Sequence, residues 1–399
     1  MLAESREQDS VWPASVHRPD LTLNLGLLHL QPAVPPPQTE ACCTTTTMSS
    51  TKVDGTVAAA QQLGSMSLGE SVERKDNDTE PTAKNNGART KLCSACGKNS
   101  DALQKCRACK CVWYCDKDCQ NRHWKEHKKE CKPIKMALAK RGGKLDLGTE
   151  EDVGPLGKVP PREECPICMR VLPIYKPLQS YYTCCGKTLC GGCDFQHQMK
   201  SGEWPTCAFC RTTLPKSDEE KLARLSKRVE RKDPQGLMRV AMNYGYGELG
   251  LPVDQAKCID LLRQSAGLGF PSAQYQLGNF HRLGKMGLQQ NEEEALRYFK
   301  EASEGGHLLS LHNLGCMEED ENGDHVAAMR HWQLSASGGS ITSTGILITC
   351  FEDGLLQHSD LAESLQAMYR SRNEMRSEDR DMFVEYLKMT GEYKEQYDF

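Results

Sequence analysis

The chain has 399 residues, of which 38% are hydrophobic and 26% charged, with a formal net charge of −4. That length allows about two or three domains, and so small a charge excess singles out no partner class. The outlier is the count of 21 cysteines. The opening MLAESREQDS has no basic start followed by an apolar run, so a reducing compartment is expected, where paired cysteines signal metal rather than disulfide.

Residues 1–90 read as a disordered tail. QPAVPPPQTE, TTTTMSSTK and ERKDNDTEPTAKNNGA are polar and Pro/Thr-rich with no sustained period. LTLNLGLLHL (21–30) is apolar but far below the roughly 20 residues a membrane span needs, so no membrane contact is expected. Cys42 and Cys43 have no ligand partners nearby, and Met48 offers a second start.

Residues 91–131 carry Cys93, Cys96, Cys106, Cys109, Cys115, Cys119, His127 and Cys131. Ligand pairs with two or three residues between them can chelate one ion with little loop entropy lost, and eight ligands make two tetrahedral zinc sites. The whole stretch is similar to the MYND zinc finger. The resemblance implies interleaved sites, with Cys93, Cys96, Cys115 and Cys119 on one zinc and Cys106, Cys109, His127 and Cys131 on the other. It also places Tyr114, Gln120 and Trp124 at packing and surface positions. Cys111 and His123 fall outside the pattern, and His123 reads as a helix-surface residue. Lys and Arg are abundant between Arg89 and Lys144. They offset thiolate charge as readily as they would meet a phosphate, so nucleic acid is not the expected partner.

Residues 132–162, with RGGK and KVPPREE, read as a linker. Residues 163–215 hold Cys165, Cys168, Cys184, Cys185, Cys190, Cys193, Cys207 and Cys210, again eight sulfurs for two sites. In CCGKTLCGGC a lysine, Lys187, stands where a finger would place histidine, and an ammonium has no lone pair to give. Cys184 can supply the missing donor, with His197 as the fallback. The arrangement resembles an all-cysteine RING finger. That implies Cys165, Cys168, Cys190 and Cys193 on one zinc and Cys184, Cys185, Cys207 and Cys210 on the other, with a short helix over DFQHQMKSGEW. It further implies that Ile167, Trp204 and Arg211 are candidate contacts for a ubiquitin-conjugating enzyme. The last pair reads Cys-Ala-Phe-Cys, without the usual proline.

From about 218 the chain turns helical and repeats itself. Pro234, Gly247, Gly250, Gly269 and Gly278 recur 37 residues on as Pro271, Gly284, Gly287, Gly306 and Gly315, and a third step, Gly306 to Gly339, is 33. Ala295, Tyr298, Phe299 and Ala302 share one helix face, with Asn291 as cap. A helix-pair period with this Ala/Gly signature resembles the Sel-one-like repeats, relatives of the tetratricopeptide repeats, over 218–353, with residues 354–399 as a helical cap. Cys258, Cys316 and Cys350 fall at core positions of the repeats.

The expected fold class is mostly α: a disordered N-terminal tail, two small cross-braced zinc modules and a C-terminal α-solenoid of helix-pair repeats. The combination resembles proteins of algal and other protist lineages. Both clusters fill four-coordinate sites with protein atoms, which argues against hydrolytic zinc chemistry. No phosphate-cradling loop, dinucleotide fingerprint or SET-like methyltransferase segment is present. The expected function is a zinc-binding adaptor, with four zinc ions, a short peptide ligand at the MYND finger and a protein partner on the repeats. The alternative is a RING-type ubiquitin ligase that uses finger and repeats to choose substrates. Cytoplasm is the expected compartment, and the Lys/Arg run near 128–144 leaves the nucleus open.

Overall fold

The computed structural model describes residues 92–100, 102–140, 142, 157–175, 178–201 and 205–393. The tail read over 1–90 and Trp204 lie outside the described residues. Among the described residues no helix is long and apolar enough to cross a membrane. The architecture is mostly helical, with two short antiparallel hairpins: β1 (Gln104–Lys105) with β2 (Trp113–Tyr114), and β3 (Gln179–Tyr182) with β4 (Lys187–Cys190).

The 37-residue period is a pair of helices. Helices α4 (Pro234–Tyr246) and α5 (Gln255–Gly267) return as α6 (Pro271–Leu283) and α7 (Glu292–Glu304). They return again as α8 (Leu308–Met317) and α9 (His325–Ser337), and α10 (Ile341–Asp353) follows. Each second helix begins the same way. The side chains of Asp254, Asn291 and Asp324 accept from the backbone N–H of Lys257, Glu294 and Ala327 at 2.9, 3.0 and 2.9 Å, the N-cap chemistry that satisfies an otherwise orphaned donor. The shorter third step has a local cause: a π-turn over Glu318–Asn322 extends α8 and replaces the loop that separates α6 from α7.

Stacking depends on absent side chains. A Cβ on Gly278 would sit 2.6 Å from the Phe299 ring, and one on Gly315 2.5 Å from the Trp332 ring. Ala295, Phe299 and Ala302 on α7 bury against Tyr275, Leu308, Leu311, Leu314 and Met317. His312 is buried among these helices, with Nδ1 at 3.0 Å from Ser343 Oγ and Nε2 at 3.8 Å from Cys316 Sγ. Cys258, Cys316 and Cys350 are buried as well, and burial raises the Cys258 thiol to about 11, which suits an inert core residue.

The cysteine-rich segments are docked on this solenoid. Helix α1 (Lys117–Lys140) runs nine residues past Cys131, into the stretch read as linker. The cause is apolar periodicity: His127, Cys131, Ile134 and Leu138 continue one buried face, and α1 packs on α10. Between the two modules, Arg162 donates to Ser371 Oγ at 3.1 Å, so that part of the linker lies against α11 (His358–Met375). Tyr181 on β3 donates to Asp233 at the start of α4 (3.0 Å), and Thr188 on β4 donates to Gln235 (2.7 Å). Helix α2 (Gly191–Lys200), near the stretch expected to be helical, packs against α12 (Glu378–Thr390) so closely that a Cβ on Gly192 would meet the Arg380 backbone nitrogen at 2.6 Å.

Two measurements follow. Gly278→Val forces its side chain into the Phe299 ring and should destabilise the solenoid by about 1–3 kcal/mol in urea unfolding. Burial, with Arg282 adding, lowers His312 to about 4. The unfolded histidine binds its proton near pH 6.5 and the folded one only near 4, so stability falls as pH drops through that window, by up to about 3 kcal/mol. His312→Gln should flatten that part of the slope relative to the parent chain.

Candidate metal centres

Four groups of four ligand atoms converge, each group within 4.8 Å: Cys93, Cys96, Cys115 and Cys119; Cys106, Cys109, His127 and Cys131; Cys165, Cys168, Cys190 and Cys193; Cys184, Cys185, Cys207 and Cys210. Zinc–sulfur bonds of about 2.3 Å at tetrahedral angles put sulfurs about 3.8 Å apart. The observed pairs fit: Cys96–Cys115 3.6 Å, Cys106–Cys131 3.9 Å, Cys168–Cys190 3.9 Å, Cys185–Cys207 3.5 Å and Cys184–Cys210 3.4 Å. Cys109 Sγ lies 3.4 Å from His127 Nε2. All of these cysteines are free thiols, and the donor set, sulfur with one imidazole, suits zinc.

Repeated local geometry builds the groups. Cys93, Cys165 and Cys207 each donate their backbone N–H to the carbonyl five residues on, at 2.9, 2.8 and 2.8 Å. The chain turns back through a left-handed residue just after the second cysteine: Gly97 (φ 71°), Met169 (φ 54°) and Arg211 (φ 58°), and likewise Lys110 (φ 60°) after Cys109. A non-glycine residue pays about 1–2 kcal/mol there. Within the third group, the hydrogen bond with Cys190 outweighs burial and lowers Cys165 to about 4, while that bond and burial raise Cys190.

The structure brings Cys184 into the fourth group and leaves His197 out of it. His197 Nε2 instead lies 3.0 Å from the Thr206 carbonyl oxygen. Lys187 lies over the Phe209 ring, 6.0 Å from its centroid. Ile167 is 47% exposed and Arg211 is exposed beside the last pair. Tyr114 is buried and Trp124 exposed. His123, expected on the helix surface, is buried instead: its Nδ1 lies 3.1 Å from Tyr114 Oη, and its ring meets Tyr369 edge-on at 4.3 Å. The cover is α11, nearly 250 residues away in sequence, which helical periodicity in α1 cannot report.

Sequence reasoning also missed what surrounds the ligands. Tyr369 donates to Glu130 at 2.9 Å, which leaves its oxygen to accept from His127 Nδ1 at 3.3 Å. Such a bond fixes the imidazole with Nε2 toward the sulfurs. His358 donates to the Cys109 carbonyl (2.8 Å), Gln366 to that of Cys111 (3.0 Å) and Asn373 to that of Ser94 (3.1 Å). Arg122 donates to Cys119 Sγ at 3.1 Å.

A MYND-finger family model matches residues 93–131, and a Sel1-repeat model matches 234–270, 271–307 and 309–340. The chain carries a MYND finger and Sel1 repeats. Both are protein-interaction modules, and the cysteine/histidine groups point to zinc. Among curated proteins, the histone-lysine N-methyltransferase ASHR1 of Arabidopsis thaliana is 44% identical over 50 residues, 12% of this chain and 10% of that protein. Human histone-lysine N-methyltransferase SMYD1 is 43% identical over 44 residues, 11% of this chain and 9% of that protein. The chain spans about a tenth of the length of these relatives. Two solved structures are similar to it in part. A Sel1 repeat protein from Oxalobacter formigenes gives a TM-score of 0.29 at 24% identity, covering 32% of this chain and 96% of that one. The protective antigen c5321 of uropathogenic Escherichia coli, which displays an SLR fold, gives 0.33 at 19%, covering 43% and 41%.

The fourth group yields a direct test. In chelator competition at neutral pH, Cys184→Ser should weaken zinc retention by more than about 10-fold, whereas His197→Ala should leave it unchanged. The reverse result would move the ligand to the histidine.

Proposed function

We propose that the chain is a protein-interaction scaffold held in shape by four structural zinc ions, one per ligand group. The MYND finger docks short peptides, and the solenoid takes a second partner. The observation that carries this reading is that each group is complete: four protein donors converge on each centre and leave no position for a reacting water. The interaction surfaces remain exposed. Trp124 on the finger is 42% exposed, and a concave cavity of about 570 Å³ opens on the repeats, lined by Arg263, Gln274, Arg297, Tyr298 and Glu301. Native mass spectrometry should find four zinc ions per chain. A panel of short proline-containing peptides should include binders whose affinity falls by about 10-fold or more in Trp124→Ala, in the range of an aromatic contact residue. A chain that binds none of them contradicts the peptide-docking role.

A second reading is supported by the exposure of Ile167 and Arg211 beside the zinc loops of the 163–215 module. In that reading the module is a RING-type ubiquitin ligase that positions a charged conjugating enzyme and needs no nucleophile of its own. Autoubiquitination with a panel of conjugating enzymes should then be lost in both Ile167→Ala and Arg211→Ala. Activity that survives both substitutions, or none with the parent chain, removes this reading.

A further inference from the structure

Arg380 on α12 is 1% exposed and one of the largest fully buried side chains. A guanidinium cannot shed its proton in a protein, so burial there demands a counter-charge. None of the expected kind is present: among the described residues no carboxylate pairs with it. Nη1 donates to the carbonyls of Val171 (2.8 Å) and Met375 (2.6 Å). Nη2 lies 3.4 Å from the Arg170 carbonyl oxygen and donates to Cys168 Sγ, also at 3.4 Å. Nε has no partner. The oxygen acceptors it touches are neutral carbonyls. The sulfurs beside it, Cys168 and its fellow ligand Cys190, are therefore where the negative charge comes from, and four thiolates around one divalent ion leave the group a net anion.

We propose that Arg380 is the buried counter-cation of the Cys165–Cys168–Cys190–Cys193 zinc–thiolate group, so that metal retention at that group and docking of α12 are one linked equilibrium. The geometry around the arginine serves that purpose. Ser377 caps α12 by accepting from the Arg380 N–H at 3.3 Å. Gly192, next to ligand Cys193, lets the two backbones approach closely at the same point. Phe383, one turn on, stacks in tilted fashion on Phe195 of α2 at 5.8 Å. Linkage then runs both ways: whatever pulls α12 away loosens the metal, and whatever takes the metal leaves a buried cation without its anion and expels α12. Helix α12 becomes a reporter of zinc occupancy at ligands 187–215 residues before Arg380 in sequence.

The inference rests on the zinc reading of this group, and the full zinc-loaded chain tests both. Arg380→Met should release one zinc to a chelator 10–100-fold more readily, the range for lost outer-sphere partners. Arg380→Lys, which keeps the charge, should recover most of that retention. In the cobalt-substituted chain the thiolate-to-cobalt band should move in the methionine variant. Equal retention in Arg380→Met, or a lysine variant as weak as the methionine one, overturns the counter-charge role. A measurement on the parent chain guards against misfolded variants: metal is drawn off stepwise while cysteine alkylation and amide exchange are followed together. Residues 378–390 should lose protection as Cys165 and Cys190 become alkylatable, with 255–304 still protected. Protection of α12 that outlasts the loss of metal overturns the coupling. If those cysteines are reactive from the outset, the zinc reading and the inference fall together.

Discussion

The bond on which the rest depends is sulfur to metal. The finger at 93–131 and the module at 163–215 have only two-residue and four-residue strands and one helix each. Segments of about 40–50 residues rarely bury enough apolar surface to fold alone. What lies at their centres is thiol: Cys165, Cys190 and Cys207 are fully buried, with Leu172, Tyr182 and Leu189 around them. In such a core the metal supplies the folding free energy that packing cannot.

The second constraint comes from the other end of the chain. Helix α11 lays Tyr369, Gln366 and Asn373 against the finger, and α12 lays Arg380 and Phe383 against the second module. The two helices that follow the repeats thus supply outer-sphere contacts to two of the ligand groups.

Local chemistry was legible in the sequence and distant chemistry was not. Ligand spacing marked all sixteen side chains that the structure gathers into four groups, because a CxxC pair is a local chelate whose geometry two intervening residues settle. The repeat was equally plain: Gly278 and Gly315 stand 37 apart because each meets an aromatic ring of the next helix. His123 was misread because its cover, Tyr369, comes from a helix that no spacing within α1 encodes. Nothing within several residues of Arg380 hints at a sulfur across the interface. Helix α1 was cut short at its last ligand, although Ile134 and Leu138 continue its buried face.

Zinc K-edge X-ray absorption on the purified chain tests the central claim most directly. The account predicts a dominant sulfur shell at about 2.3 Å with a minor nitrogen contribution and no oxygen ligand. An oxygen shell, or cysteines found joined to one another in place of bound metal, would contradict it.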